Sequence, residues 1–234
     1  MYYSGGGYLI YILISLPALL LGLWAQAKIK SAFSKYSAVR TSTGLTGAEV
    51  ARKMLDQNGL HDVQVQQVGG NLTDHYDPAS RTLRLSQGVY NSNSVAAAGV
   101  AAHESGHAVQ HKESYGPLKI RSLMVPSVQI GSWLGPIIFM VGLLFQSQNL
   151  SLIGLILFSA TALFALVTLP VEFNASNRAK AWLSDSGVVY MSEMEGVNKV
   201  LDAAALTYVA GALQSLSTLL YYVFLFMGRS SSRD

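Results

Sequence analysis

Four long apolar runs divide this chain: 7–25, 122–145, 150–171 and 203–227. A helix rising 1.5 Å per residue needs about 20 residues to cross a hydrocarbon core, so each run is long enough to span a bilayer. Pro126, Gln129 and Pro136 interrupt the second run, a kind of break that membrane helices tolerate. Elsewhere the pattern turns polar, over 26–121 and again over 172–202. Lys28 to Lys35 reads as a basic link beside the membrane, suited to an interfacial helix. Thr46-Gly47-Ala48-Glu49 has capping-box spacing ahead of the amphipathic Val50-Ala51-Arg52-Lys53-Met54-Leu55, which predicts a short helix to about Asn58 with Gly59 as its stop. Residues 63–68 alternate like a strand. With 72–76 and 81–86, and turns at Gly69-Gly70-Asn71 and Asp77-Pro78-Ala79-Ser80, they predict a three-stranded meander. The small apolar Val95-Ala96-Ala97-Ala98-Gly99-Val100 opens a packed helix over about 94–112, with Ser94 as N-cap. The pattern predicts an α-helical membrane protein of about four transmembrane helices with a small α+β domain.

Composition agrees. Half the residues are hydrophobic and 12% charged, with mean hydropathy +0.32, far from an ordinary soluble domain. One or two apolar runs could be buried helices of a globular core, but four in so short a chain are hard to bury that way. Ala25-Gln26-Ala27 resembles a signal-peptide cleavage site, yet no basic residue precedes the first run, so an uncleaved anchor is expected. There is no cysteine, which removes disulfides, thiol nucleophiles and thiolate zinc sites. Of 16 Lys and Arg residues, 14 lie in the two polar stretches, which share one side of the membrane; Arg229 and Arg233 are the exceptions. The positive-inside rule makes that side cytoplasmic. The net charge of +3 is thus a topology signal, and no basic cluster with interleaved aromatics points to nucleic acid.

The chemistry sits in Ala101-Ala102-His103-Glu104-Ser105-Gly106-His107-Ala108-Val109-Gln110-His111. In H-E-x-x-H on a helix, residues i and i+4 share a face, so His103 and His107 can reach one Zn²⁺. Glu104 is then placed as a general base for a water at the metal. A catalytic zinc needs a third protein ligand, here a carboxylate or another histidine. Glu172 stands out, because an ionisable residue at the edge of an apolar segment is a functional candidate. The plainer alternative is an interfacial Glu reaching for water. His111 continues the row but lies about 12 Å along the helix from His103, too far to share an ion, so it supports a ligand from behind, contacts substrate, or is simply a polar residue at the helix end. His75, Tyr76, His111 and Arg178 are candidate oxyanion or substrate contacts.

Leu72-Thr73-Asp74-His75-Tyr76-Asp77-Pro78, the metal motif, and Pro170-Val171-Glu172-Phe173-Asn174-Ala175-Ser176 together resemble the YugP-type neutral zinc metallopeptidases, over nearly the whole chain. The resemblance implies a bacterial cytoplasmic-membrane protein carrying one zinc per chain, with a zincin-like cytoplasmic domain that cleaves peptide or protein substrates beside the bilayer. More distantly, the motif plus a later Glu-aromatic-x-Ala resembles the HtpX and related gluzincin membrane proteases, which implies Glu172 as third ligand. That wider pattern continues with an Asp that would orient a zinc-binding histidine; here the residue is Ser176. Two rival readings stay open: a site-2-type intramembrane protease using Asp185, and a non-catalytic protein with a structural zinc.

Overall fold

The computed structural model describes residues 6–230; the tail residue Arg233 lies outside them. In chain order the elements are α1 (Gly6–Ser37), α2 (Gly47–Gln57), β1 (Gln64–Val68), β2 (His75–Asp77), β3 (Thr82–Ser86), α3 (Gln87–Tyr90), α4 (Val95–Lys112), α5 (Gly116–Leu144), α6 (Gln148–Asp185) and α7 (Met191–Ser230). Among the described residues, α1, α5, α6 and α7 are long and apolar enough to cross a membrane. The described residues divide into two compact units: 6–24, 120–169 and 208–230 form one, and 25–119 with 170–207 form the other.

In the apolar unit, Pro126 and Pro136 sit inside α5 without ending it. α5 and α6 approach closely because glycines line their contact. A Cβ on Gly131 would lie 2.7 Å from the Leu157 carbonyl oxygen, and one on Gly135 would lie 2.9 Å from the Phe158 nitrogen. Small residues are the usual means of bringing membrane helices together. Phe139 is fully buried and stacks on Tyr222 at 4.4 Å between centroids. Leu123 and Leu144 stand exposed, as lipid-facing side chains do.

The polar unit follows local sequence rules at most points. The Thr46–Glu49 capping box forms, and α2 buries Val50, Ala51, Met54 and Leu55. Gly59 follows with φ +65°, a left-handed conformation that only glycine adopts without strain. Ser94 caps α4 by accepting from the Ala97 N–H at 3.2 Å. The basic stretch from Lys28 to Lys35 continues α1 instead of forming a separate helix. Likewise the chain after 171 stays helical to Asp185.

The sheet is not the expected meander. Its order is β1-β3-β2, with β1 and β3 parallel and β2 antiparallel to β3. The physical reason lies in β3, whose Thr82, Leu83, Leu85 and Ser86 are all buried, so it takes the centre. β2 is only three residues long and occupies an edge beside α4. Leu72, expected within that strand, instead has φ +55° in the preceding loop.

Candidate metal centre

α4 is buried almost all round from Val95 to Gln110. Its alanines make this possible, since a helix without bulk can be enclosed on every side. Polar side chains on such a helix need partners, and each one at the motif has them. His103 Nε2 lies 3.2 Å from Glu172 Oε2, and its Nδ1 lies 3.1 Å from Ser176 Oγ. His107 Nε2 lies 3.6 Å from the same Glu172 oxygen, and its Nδ1 lies 3.0 Å from Gln110 Oε1. Glu104 Oε2 accepts from the Tyr76 backbone N–H of β2 at 3.1 Å.

Glu172 comes from α6, which passes α4 at Gly106. A Cβ there would lie 2.9 Å from the Ala175 carbonyl oxygen and 3.3 Å from Ala175 Cα, so only glycine lets the two helices come this close. Glu172 is 2% exposed, which would be costly for a carboxylate without partners.

The donors fit zinc. One atom each from His103, His107 and Glu172 lie within 4.8 Å of one another. Ligands at about 2.0–2.1 Å from a tetrahedral ion stand about 3.3–3.4 Å apart. The separations of 3.2 and 3.6 Å to Glu172 bracket that value. The electrostatics favour positive charge on the His107 ring. Burial pushes the His107 imidazole down, but the Glu172 hydrogen bond and the charges of Glu104 and Glu172 outweigh it and raise its pKa overall. Two buried carboxylates thus favour positive charge between them.

The other candidates divide. Tyr76 Oη and His111 Nδ1 are 2.9 Å apart, joining β2 to the last turn of α4, and burial raises the pKa of the phenol. His75 is exposed, with Nδ1 2.8 Å from the Thr73 carbonyl oxygen. Arg178 donates to Asn174 Oδ1 at 2.7 Å and to Glu113 Oε2 at 2.6 Å. That hydrogen bond from Arg178 holds the Glu113 carboxyl below its ordinary pKa. Asp185 ends α6 exposed, about 20 Å along the axis from Glu172. Sequence reasoning missed Gln110 and Asn174. Nothing local distinguishes a lone amide between Val109 and His111 from a surface residue, although Gln110 lies at i+3 from His107.

A family model described as "Putative neutral zinc metallopeptidase" matches residues 11–227. The chain is 53% identical over 219 residues to "Putative membrane protease YugP" of Bacillus subtilis (strain 168), covering 94% of this chain and 97% of that protein. No solved structure matches.

Proposed function

This chain belongs to the neutral zinc metallopeptidase family, and from that premise we propose that it is a membrane-embedded endopeptidase holding one zinc through His103, His107 and Glu172. The observation that carries the reading is the convergence of those three side chains from α4 and α6, with Glu104 on the same helix turned towards an edge strand. Zinc bound there would supply Lewis-acid activation of water for peptide hydrolysis.

The chain's own residues account for the remaining steps. Glu104 takes a proton from the attacking water at a carboxylate oxygen and delivers it to the leaving amine nitrogen. The Tyr76 N–H, 3.1 Å from Glu104 Oε2, orients that carboxylate before reaction. We assign substrate or oxyanion contact to Tyr76 and His111, which meet on the strand and helix that frame Glu104. His75 is kept as a substrate contact on the exposed side of β2. Arg178, already engaged by Glu113 and Asn174, acts at one remove. We place the polar unit in the cytoplasm of a bacterial cell, on the distribution of Lys and Arg. Membrane proteins and their cytoplasmic segments are then the substrates within reach. The remoteness of Asp185 from Glu172 weighs against the site-2 alternative.

The test is Glu104→Gln in the purified full chain, assayed on casein with a chelator-treated control. Glutamine keeps size and polarity but accepts no proton near neutral pH, so hydrolysis should fall by about 10²–10⁴-fold. Zinc content should stay at the wild-type level, because Glu104 is not a ligand. A variant as fast as wild type would remove Glu104 as the base. A wild type that binds zinc yet is inert towards every peptide would favour a structural metal.

A further inference from the structure

Gln110 is fully buried, and its side chain hydrogen-bonds to His107, to the Val171 backbone and to Asn174. We propose that it is a positioning residue: it fixes His107 in the tautomer a metal ligand needs, and the direction of that bond is set from Arg178 through Asn174. The proposal rests on the metal reading of His103, His107 and Glu172 and goes beyond it.

The argument follows from which groups can only donate and which can only accept. A guanidinium has no acceptor, so the 2.7 Å contact from Arg178 Nε makes Asn174 Oδ1 an acceptor. Gln110 Nε2 lies 2.9 Å from that same oxygen, so the nitrogen end of the Gln110 amide faces it. Independently, Gln110 Nε2 lies 2.8 Å from the backbone carbonyl oxygen of Val171, which can only accept. Two constraints of different origin therefore agree on the amide orientation. Both N–H bonds of Gln110 are used on α6, and its carbonyl oxygen is left facing His107 Nδ1 at 3.0 Å. That nitrogen must carry the proton, and Nε2, 3.6 Å from Glu172, keeps its lone pair for a metal.

His103 differs. Its Nδ1 meets a hydroxyl, Ser176 Oγ at 3.1 Å, which can donate or accept. The polarity of that contact is not fixed by geometry. One ligand is locked and the other is adaptable, and neither is backed by a carboxylate. Partners of metal-binding histidines typically contribute about 10–100-fold in metal affinity.

The test uses the full chain in detergent, with Gln110→Met to remove both donor and acceptor and Gln110→Glu to retain an acceptor for Nδ1–H. Two readouts are needed. The first is the His107 tautomer without metal, read from side-chain ¹⁵N resonances at a pH where the ring is neutral and assigned against single histidine variants. The second is zinc affinity by competition with a chelator. Wild type and Gln110→Glu should both hold the proton on Nδ1, and Gln110→Glu should lose less zinc affinity than Gln110→Met. Gln110→Met should show mixed tautomers and bind zinc about 10–100-fold more weakly. If Gln110 only clamps α4 to α6, both variants lose the clamp and should fall together, which would overturn the proposal. A proton found on Nε2 in wild type would overturn it even if Gln110→Met fails to fold. Wild type that binds no zinc would instead sink the metal reading, while the tautomer measurement stands apart from it.

Discussion

Gly106→Ala is the sharpest probe of how the helix contact governs the proposed metal centre. The added Cβ would sit 2.9 Å from the Ala175 carbonyl oxygen and 3.3 Å from Ala175 Cα, both backbone atoms. Ordinary contact begins near 3.4 Å, so α6 must retreat by about 0.5 Å at the oxygen, as overpacked cores do. Ala175 lies less than one helical turn from Glu172, so the Glu172 carboxylate moves with it. Metal–ligand distances tolerate only about 0.2 Å of error. Overpacking costs about 1–3 kcal/mol, which becomes about 5- to 150-fold weaker zinc binding if the strain is relieved by opening the ligand set. If α6 holds its place instead, the strain appears as a lower Tm of the zinc-free protein. Gly99→Ala is the control on the same helix. Its Cβ would meet Val197 Cγ1 at 3.6 Å, an ordinary contact, and alanine gains roughly 0.8–1.0 kcal/mol in helix propensity. Chelator competition and thermal unfolding should therefore separate the two. Gly106→Ala with both zinc affinity and Tm unchanged would refute the claim that this glycine sets the distance between α4 and α6.

Elemental analysis of Glu172→Ala should show zinc lost, while Asp185→Ala keeps it; full occupancy in the first would remove Glu172 from the ligand set. Single cysteines at Ser80 and Gln148, in this cysteine-free chain, should be respectively protected from and labelled by an impermeant thiol reagent on intact cells. The reverse pattern would invert the proposed orientation. Burial raises the Asp74 pKa against the opposing hydrogen bonds from Ser86. Its folded form therefore holds the proton more tightly than the unfolded chain, whose carboxyl titrates near ~3.9. Stability gained from Asp74 should rise as pH falls through the raised folded value towards about 4. Asp74→Asn, which keeps an acceptor for the Ser86 N–H, should lack that gain in a Tm series from neutral pH downwards. A wild-type Tm that fails to rise relative to the variant's on acidification would contradict the assignment.

What the sequence makes legible here is local chemistry. The Thr46–Glu49 box, the Ser94 cap and the i, i+4 histidines each depend on residues within one turn. Glu172 is visible because a charge at the end of an apolar run has a physical cost. The sheet order is hidden because pairing β1 with β3 is a choice between distant segments, decided by how completely β3 is buried. Helix ends are hidden where no terminator exists: α1 and α6 run on through basic and polar residues because nothing local stops them. Gln110 and Gly106 take their meaning from the Val171–Ala175 backbone of α6, more than 60 positions along the chain.

That separation has a consequence for how the protein is made. His103 and Glu172 are 69 positions apart, with the whole of α5 and most of the apolar part of α6 between them. At roughly 5–20 residues per second of synthesis, the histidine pair is incorporated some 3–14 s before Glu172 is. A nascent chain therefore carries at most two of the three donors while its second and third apolar runs are still being translated and inserted. The proposed ligand set is completed late in synthesis, so a half-inserted copy lacks one of its three donors.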